Sequence, residues 1–259
     1  MRKHLLKVKS NKEIADKIFE IQLESDSALE DFMPGNFLHI KCNEGYDPLL
    51  RRPMSICDIS DDKKLLTVLY RADGRGTIFL SHKEEGEIID VLAPLGNFFP
   101  FEKLNSSQTI ALVGGGIGVP PLYYLGKTLQ KAFGVKIKSY LGFNSKKDVF
   151  YEKEFSKLGD TIITTMDGSH GKKGLVPDFI EEGWDFIYSC GPNLMFKSLQ
   201  QKFPTINENV FISVEERMGC GVGACLACVC KTNPEAGFEK SWVRACTEGP
   251  IFQLHDLEF

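Results

Sequence analysis

In the first hundred residues apolar and polar positions alternate in short runs. Phe19, Ile21 and Leu23 share one face of such a run, and further runs cover Phe37 to Ile40, Leu65 to Tyr70 and Ile88 to Leu92, with glycine, proline and aspartate between them. Period-two alternation punctuated by turn residues predicts an antiparallel barrel or sandwich. The polar stretch Lys103 to Gln108 marks a boundary. Beyond it, strands at Thr109 to Val113, Val135 to Phe143, Thr161 to Thr165, Trp184 to Cys190 and Asn209 to Ser213 alternate with helices at Val119 to Phe133 and around Glu152 to Leu158, Val176 to Glu182 and Leu194 to Phe203. That order predicts a parallel sheet wrapped by helices. The fold class expected is therefore multidomain β and α/β: an antiparallel barrel over 1–102, a Rossmann-like domain over 103–213 and a small C-terminal segment over 214–259. The last is too short to build a core unaided, and bound metal would supply the missing stabilisation.

Composition narrows the functional classes. With 42% hydrophobic residues the 259-residue chain can bury a sizeable core. Its 35 acidic against 31 basic residues, net charge -4, lack the basic excess of a nucleic-acid binder. The opening MRKHLLKVKSNKE turns polar after two leucines, and no run approaches the length of a membrane span, so a cytoplasmic protein is expected.

Eight cysteines change the picture, because Cys220, Cys225, Cys228 and Cys230 crowd into one stretch. In a reducing compartment such clustering points to metal or redox chemistry rather than to a disulfide framework. The run Cys220-Gly-Val-Gly-Ala-Cys225-Leu-Ala-Cys228, with Cys246 further on, has the plant-type two-iron, two-sulfur spacing CxxxxCxxC…C. Small interior residues let the backbone fold tightly and aim amide N–H groups at sulfur. A zinc ribbon, the alternative, usually shows two CxxC pairs. Cys230 is a spare thiol, and Cys42 and Cys57 are expected to be structural.

Three further motifs have the chemistry of nucleotide sites. Gly114, Gly115, Gly116, Ile117 and Gly118 follow a strand, and Val119, Pro120 and Pro121 open a helix. Glycines allow close approach of a pyrophosphate, and the helix N-terminus stabilises its charge, although glycine turns also occur as plain connections. Cys190, Gly191 and Pro192 repeat this logic at a later strand end. Gly142 to Lys147 offers no arginine to clamp a 2′-phosphate, which favours NAD over NADP. In the first domain, Arg51 to Ser55 (RRPMS) and Gly74 to Thr77 (GRGT) could hold a diphosphate between a charged side chain and free amides. Each alone also reads as an ordinary turn.

Taken together, RRPMS, GRGT, PLGNFF, GGGIGVPP, CGP and CGVGACLAC resemble the ferredoxin reductase superfamily, and within it the electron-transfer subunits of class 1B dihydroorotate dehydrogenases, from end to end. The resemblance implies an FAD-binding barrel, an NAD-binding domain and a C-terminal [2Fe-2S] domain. It assigns Arg52, Pro53, Met54, Ser55, Leu69, Tyr70, Arg71, Gly76 and Thr77 to FAD. It assigns Cys220, Cys225, Cys228 and Cys246 to the cluster, and no catalytic residue to this chain. Met54 departs from the superfamily, where an aromatic residue commonly stands, so stacking on flavin from that position is not implied. The implied activity passes electrons from the FMN of a separate catalytic subunit through the cluster and FAD to NAD in pyrimidine biosynthesis, with two of each chain in a heterotetramer. Two other readings stay open: an NAD(P)H:ferredoxin or sulfide dehydrogenase subunit with the same module order, and a zinc-stapled nucleotide-binding sensor.

Overall fold

In the computed structural model, described over residues 1–102, 104–204 and 209–259, the alternating runs of the first domain form a curled seven-stranded antiparallel sheet. Lys103, where the polar boundary begins, lies outside the described residues. The strands are β1 (Arg2–Ala15), β2 (Ile18–Glu24), β3 (Phe37–Ile40), β4 (Arg52–Ser55), β5 (Asp58–Ile59), β6 (Leu65–Arg71) and β7 (Ile88–Leu95), in the order β4-β3-β7-β1-β2-β6-β5. Alternation explains the curl's interior: Ile89, Val91, Ala93 and Leu95 of β7 are buried while the residues between them are not. Ile89, Val91 and Ala93 meet Leu6 and Val8 of β1 and Leu38 and Ile40 of β3 in one core, while Leu95 packs with Phe37 toward the second sheet. A short helix, α1 (Arg75–Ser81), follows β6.

The second sheet is covered on both faces at its centre, so Ile110 to Gly114 and Ile187 to Cys190 are buried without a break, whereas its outer strands keep exposed positions. In chain order come β8 (Thr109–Gly115), α2 (Val119–Phe133), β9 (Lys136–Phe143), α3 (Glu152–Ser156), β10 (Asp160–Thr165), β11 (Lys172–Lys173), β12 (Phe186–Cys190), α4 (Asn193–Lys202) and β13 (Val210–Ser213). Pro120 and Pro121 sit in the first turn of α2, and Gly134 ends it at φ 63°. The expected helix over Val176 to Glu182 is only a single 3-10 turn, Val176–Phe179, after which Ile180 is already extended. Pro177 stands in the first turn, where proline is tolerated; burial of Val176 and Ile180 fixes the path between them, and Gly183 closes the segment at φ 89°.

The cysteine segment carries a hairpin of β14 (Val229–Lys231) and β15 (Trp242–Arg244), then β16 (Ile251–Gln253). The last of these pairs antiparallel with β13, completing the order β11-β10-β9-β8-β12-β13-β16. Phe252, Leu254 and Leu257 are buried with Phe196 and Leu199 of α4. The small segment thus draws its core from the parallel sheet as well as from whatever its thiols hold.

Candidate nucleotide and cluster sites

From β8 the parallel sheet runs one way through β9 and β10 and the other way through β12 and β13, so β8 and β12 flank its switch point. Their register sets Cys190 opposite Gly114, which brings the GGGIG and CGP turns together. The contact explains the glycines. A Cβ on Gly118 would strike the Cys190 carbonyl; one on Gly191 would lie 2.5 Å from Met195 Cε, and one on Gly115 3.0 Å from Pro192 Cδ. In front of the turns opens a cavity of about 680 Å³ lined by Gly115, Gly116, Ile117, Gly118, Gly191 and Pro192, within the usual range for small-molecule sites. Gly114 and Cys190 stand behind the wall. Cys190 is fully buried, and desolvation pushes its thiol well up. At the β9 end the wall includes Phe143, Asn144 and Asp148, the last bound by the Ser145 hydroxyl at 2.7 Å.

The first-domain motifs also meet. A Cβ on Gly76 would lie 2.8 Å from Arg52 Nε, so the guanidinium lies across the first turn of α1. Arg52 donates to the Leu50 carbonyl at 2.6 Å. Arg51 has a different task, joining Asp90 at 2.8 Å beneath the sheet. Pro53, Met54, Ser55, Leu69, Arg71 and Thr77 line a cavity of about 360 Å³. Tyr70 also borders it, but its hydroxyl turns away to Asn11 at 2.9 Å and its ring stacks on Phe19. Arg71, Ile117 and Glu215 line both cavities, which makes the two neighbours across one wall. Glu216, Arg217 and Met218, leading to the cysteines, line the smaller one. Glu215 is walled in by protein yet reached by solvent through the cavities, and desolvation raises its carboxyl above the ordinary range.

The cysteine loop is shaped around sulfur. The amides of Val222, Ala224 and Cys225 donate to Cys220 Sγ at 3.4, 3.3 and 3.4 Å, and the Cys220 amide donates to Cys225 Sγ at 3.4 Å. Gly221 and Gly223 turn the chain at φ 73° and 81°. Against desolvation, which raises it, these amide donors and the Cys225 thiol bring the Cys220 thiol down to about 6. Cys228 and Cys246 form a second, buried pair; desolvation and the Cys228 thiol push Cys246 up to about 11. Among the described residues no group of three or more His, Cys, Asp or Glu is placed to hold a single metal ion. Two pairs of thiols with N–H groups aimed at sulfur fit a two-iron cluster, in which each iron takes two cysteines, better than one tetrahedral zinc. Cys230, the middle residue of β14, is buried in the core, and desolvation raises its thiol to about 12. Arg244 braces the loop, donating to the Gly223 carbonyl at 2.9 Å while pairing with Glu248.

Sequence reasoning did not assign Glu215 or Met195 to a site, nor single out His39. Met195 was within reach of a local signal, since it lies in the first turn of the helix that follows CGP. Buried on β3, His39 is held down to about 4 by desolvation and by Arg51.

Residues 215–258 match the family described as the iron-sulfur cluster binding domain of dihydroorotate dehydrogenase B. The chain is 52% identical over 260 residues to the dihydroorotate dehydrogenase B (NAD(+)) electron transfer subunit of Bacillus pumilus, covering 99% of this chain and 98% of that one. It is 48% identical to the subunit of the same name from Geobacillus, covering 99% of each. Among solved structures it is similar to an NADH-dependent reduced ferredoxin-NADP oxidoreductase, with TM-score 0.84 and 29% identity over 98% of this chain and 90% of that one. Phthalate dioxygenase reductase shares the fold, with TM-score 0.68 and 19% identity over 88% and 86% of the two chains.

Proposed function

The chain belongs to the family of electron transfer subunits of NAD-dependent dihydroorotate dehydrogenase B, and from that membership we propose that it carries electrons from a catalytic subunit to NAD in pyrimidine biosynthesis. In this reading residues 1–102 bind FAD, residues 103–213 bind NAD, and residues 214–259 hold a [2Fe-2S] cluster. Nicotinamide exchanges a hydride, an iron-sulfur cluster passes single electrons, and flavin handles both, so the flavin belongs between the other two. One observation carries the proposal: the smaller cavity shares Arg71, Ile117 and Glu215 with the larger and is also lined by Glu216 to Met218, which lead into the cysteine loop.

The residues have separate tasks. Arg52 with the Gly76 and Thr77 amides holds the FAD diphosphate; Pro53 to Ser55 and Leu69 to Arg71 shape the flavin wall. Gly115 to Gly118, Gly191 and Pro192 admit the dinucleotide, with Gly114 and Cys190 supporting them from behind. Cys220 and Cys225 take one iron, Cys228 and Cys246 the other. Val222 and Leu226 leave apolar side chains exposed over the loop, as an outlet to a docked subunit requires. That subunit is the FMN-containing dihydroorotate dehydrogenase, paired in a heterotetramer with two of each chain in the cytoplasm. No helix among the described residues is long and apolar enough to cross a membrane.

The test is separation of activities. The purified chain is expected to contain flavin and iron and to reduce artificial acceptors with NADH, but to oxidise dihydroorotate only when the catalytic subunit is added. Dihydroorotate turnover by the single chain would defeat the proposal.

A further inference from the structure

His39 lies where the flavin-side sheet meets the cysteine loop. Its strand is rooted on both sides, pairing His39 with Pro53 of β4 and with Leu92 of β7, so the ring occupies a fixed place behind the flavin wall. The residue is 1% exposed, and neither Nδ1 nor Nε2 has a hydrogen-bond partner. The main chain of Arg51 and of Cys220 passes beside the ring without completing a hydrogen bond. A neutral imidazole carries one N–H and one lone pair, and an unmet N–H in a dry site is costly. The loop has made room for the ring. A Cβ on Gly221 would lie 2.7 Å from His39 Nδ1 and 3.3 Å from Cε1, and Gly221 turns at φ 73° immediately after Cys220.

We propose that His39 is a positioning residue for the iron-sulfur loop: its ring, anchored beside the flavin wall, braces the Cys220-Gly221 peptide and supplies its N–H to the sulfur-bearing loop when the cluster is bound. The inference rests on the assignment of Cys220 as a cluster ligand. The peptide so held leads into Val222, Ala224 and Cys225, whose amides donate to Cys220 Sγ; donors kept aimed at cluster sulfur favour the reduced, more negative state and raise its reduction potential. The bracing role also ties the loop that holds one pair of thiols to the strand pair that shapes the flavin cavity.

The experiment uses the full chain with its cluster loaded and compares wild type with His39→Leu and His39→Gln. The readouts are the cluster midpoint potential, from a dye-mediated titration followed by EPR, and the half-time of iron release to a chelator. His39→Leu, apolar and similar in bulk, is expected to shift the potential to more negative values and to release iron faster. His39→Gln, which keeps an N–H donor, is expected to stay nearer the wild-type potential. If His39→Leu does not fold, His39→Ala reads the same shift. Faster release at an unchanged potential would mean that the ring merely fills space, and would overturn the donor role.

A double-mutant cycle tests the contact itself. Gly221→Ala is expected to accelerate iron release less in a His39→Ala background than in the wild type, whereas additive effects would show that the ring does not brace the loop. A wild-type chain that purifies with iron, but whose variants leave the potential unmoved, overturns this inference alone. One that purifies without iron overturns the cluster assignment with it.

Discussion

At residue 118 a single methyl group would separate two turns that the nucleotide cavity needs in contact. Gly118→Ala would drive a Cβ into the Cys190 carbonyl, backbone against backbone with no flexible side chain to yield. The expected cost is about 1–3 kcal/mol of stability, read by denaturant titration, together with weakened NADH binding in a fluorescence titration. Arg52 carries a different prediction. Its fork crosses Gly76 and is solvated enough that Arg52→Ala is expected to fold, yet to lose FAD affinity by about 10- to 100-fold, as for a charge-assisted bond of about 1.5–3 kcal/mol. Measured flavin content and a flavin-binding titration would check this; undiminished affinity would remove Arg52 from the site. Glycine turns and cysteine spacing were legible in the sequence because their chemistry depends on near neighbours along the chain. Glu215 and His39 were not, because their importance comes from which cavity or loop a different segment brings against them. One glutamate after a strand, or one histidine within it, carries no local mark of that.

Elements show the same division. The alternating runs lie on β2, β3, β6 and β7, and the five strands expected beyond the boundary lie within two residues of β8, β9, β10, β12 and β13; β1, β4, β5 and the two-residue parallel strand β11 carried no such mark. The segment over 176–182 diverged because its apolar spacing fits a helix turn, while burial of both Val176 and Ile180 is met with the chain extended from Ile180 onward. Strand β16 was invisible for the opposite reason: Ile251, Phe252 and Gln253 are a short run whose partner, β13, lies about forty residues upstream. The cysteine loop is the element on which function turns. Cys225→Ser removes one of the two thiols that share the Cys220 amide network. The variant is expected to lose iron and the cluster's visible absorption, and to cut transfer to the catalytic subunit to background, while NADH still reduces its flavin at the wild-type rate. The core that Phe252, Leu254 and Leu257 share with α4 is what lets the rest of the segment survive that loss. If both activities persisted unchanged, the cysteine loop would lie off the electron path.

For the whole molecule, the decisive contact is the one that holds the cluster segment against the flavin-side sheet, since electron transfer needs their separation fixed. Asn97, in the turn after β7, makes it. Its Nδ2 donates to the carbonyls of Glu248 at 3.0 Å and Ile251 at 2.8 Å, and its Oδ1 accepts from the Ile251 amide at 2.8 Å. The Asn97 amide donates to the Gly249 carbonyl at 2.7 Å, and Gly96, at φ 71°, leaves room for Pro250 to pack against the turn. Three side-chain bonds at a net of about 1 kcal/mol each give Asn97→Ala an expected destabilisation of about 2–3 kcal/mol. Because the loss falls on the seam, iron release to a chelator is expected to quicken while flavin content holds. Asn97→Asp separates hydrogen bonding from shape. It preserves the acceptor for the Ile251 amide but turns a carboxylate oxygen toward two carbonyls that require a donor, replacing two attractions with repulsion. It is therefore expected to release iron at least as fast as Asn97→Ala despite being nearly isosteric with the native residue; an Asn97→Asp chain that keeps its iron like the wild type would show that the seam is held elsewhere.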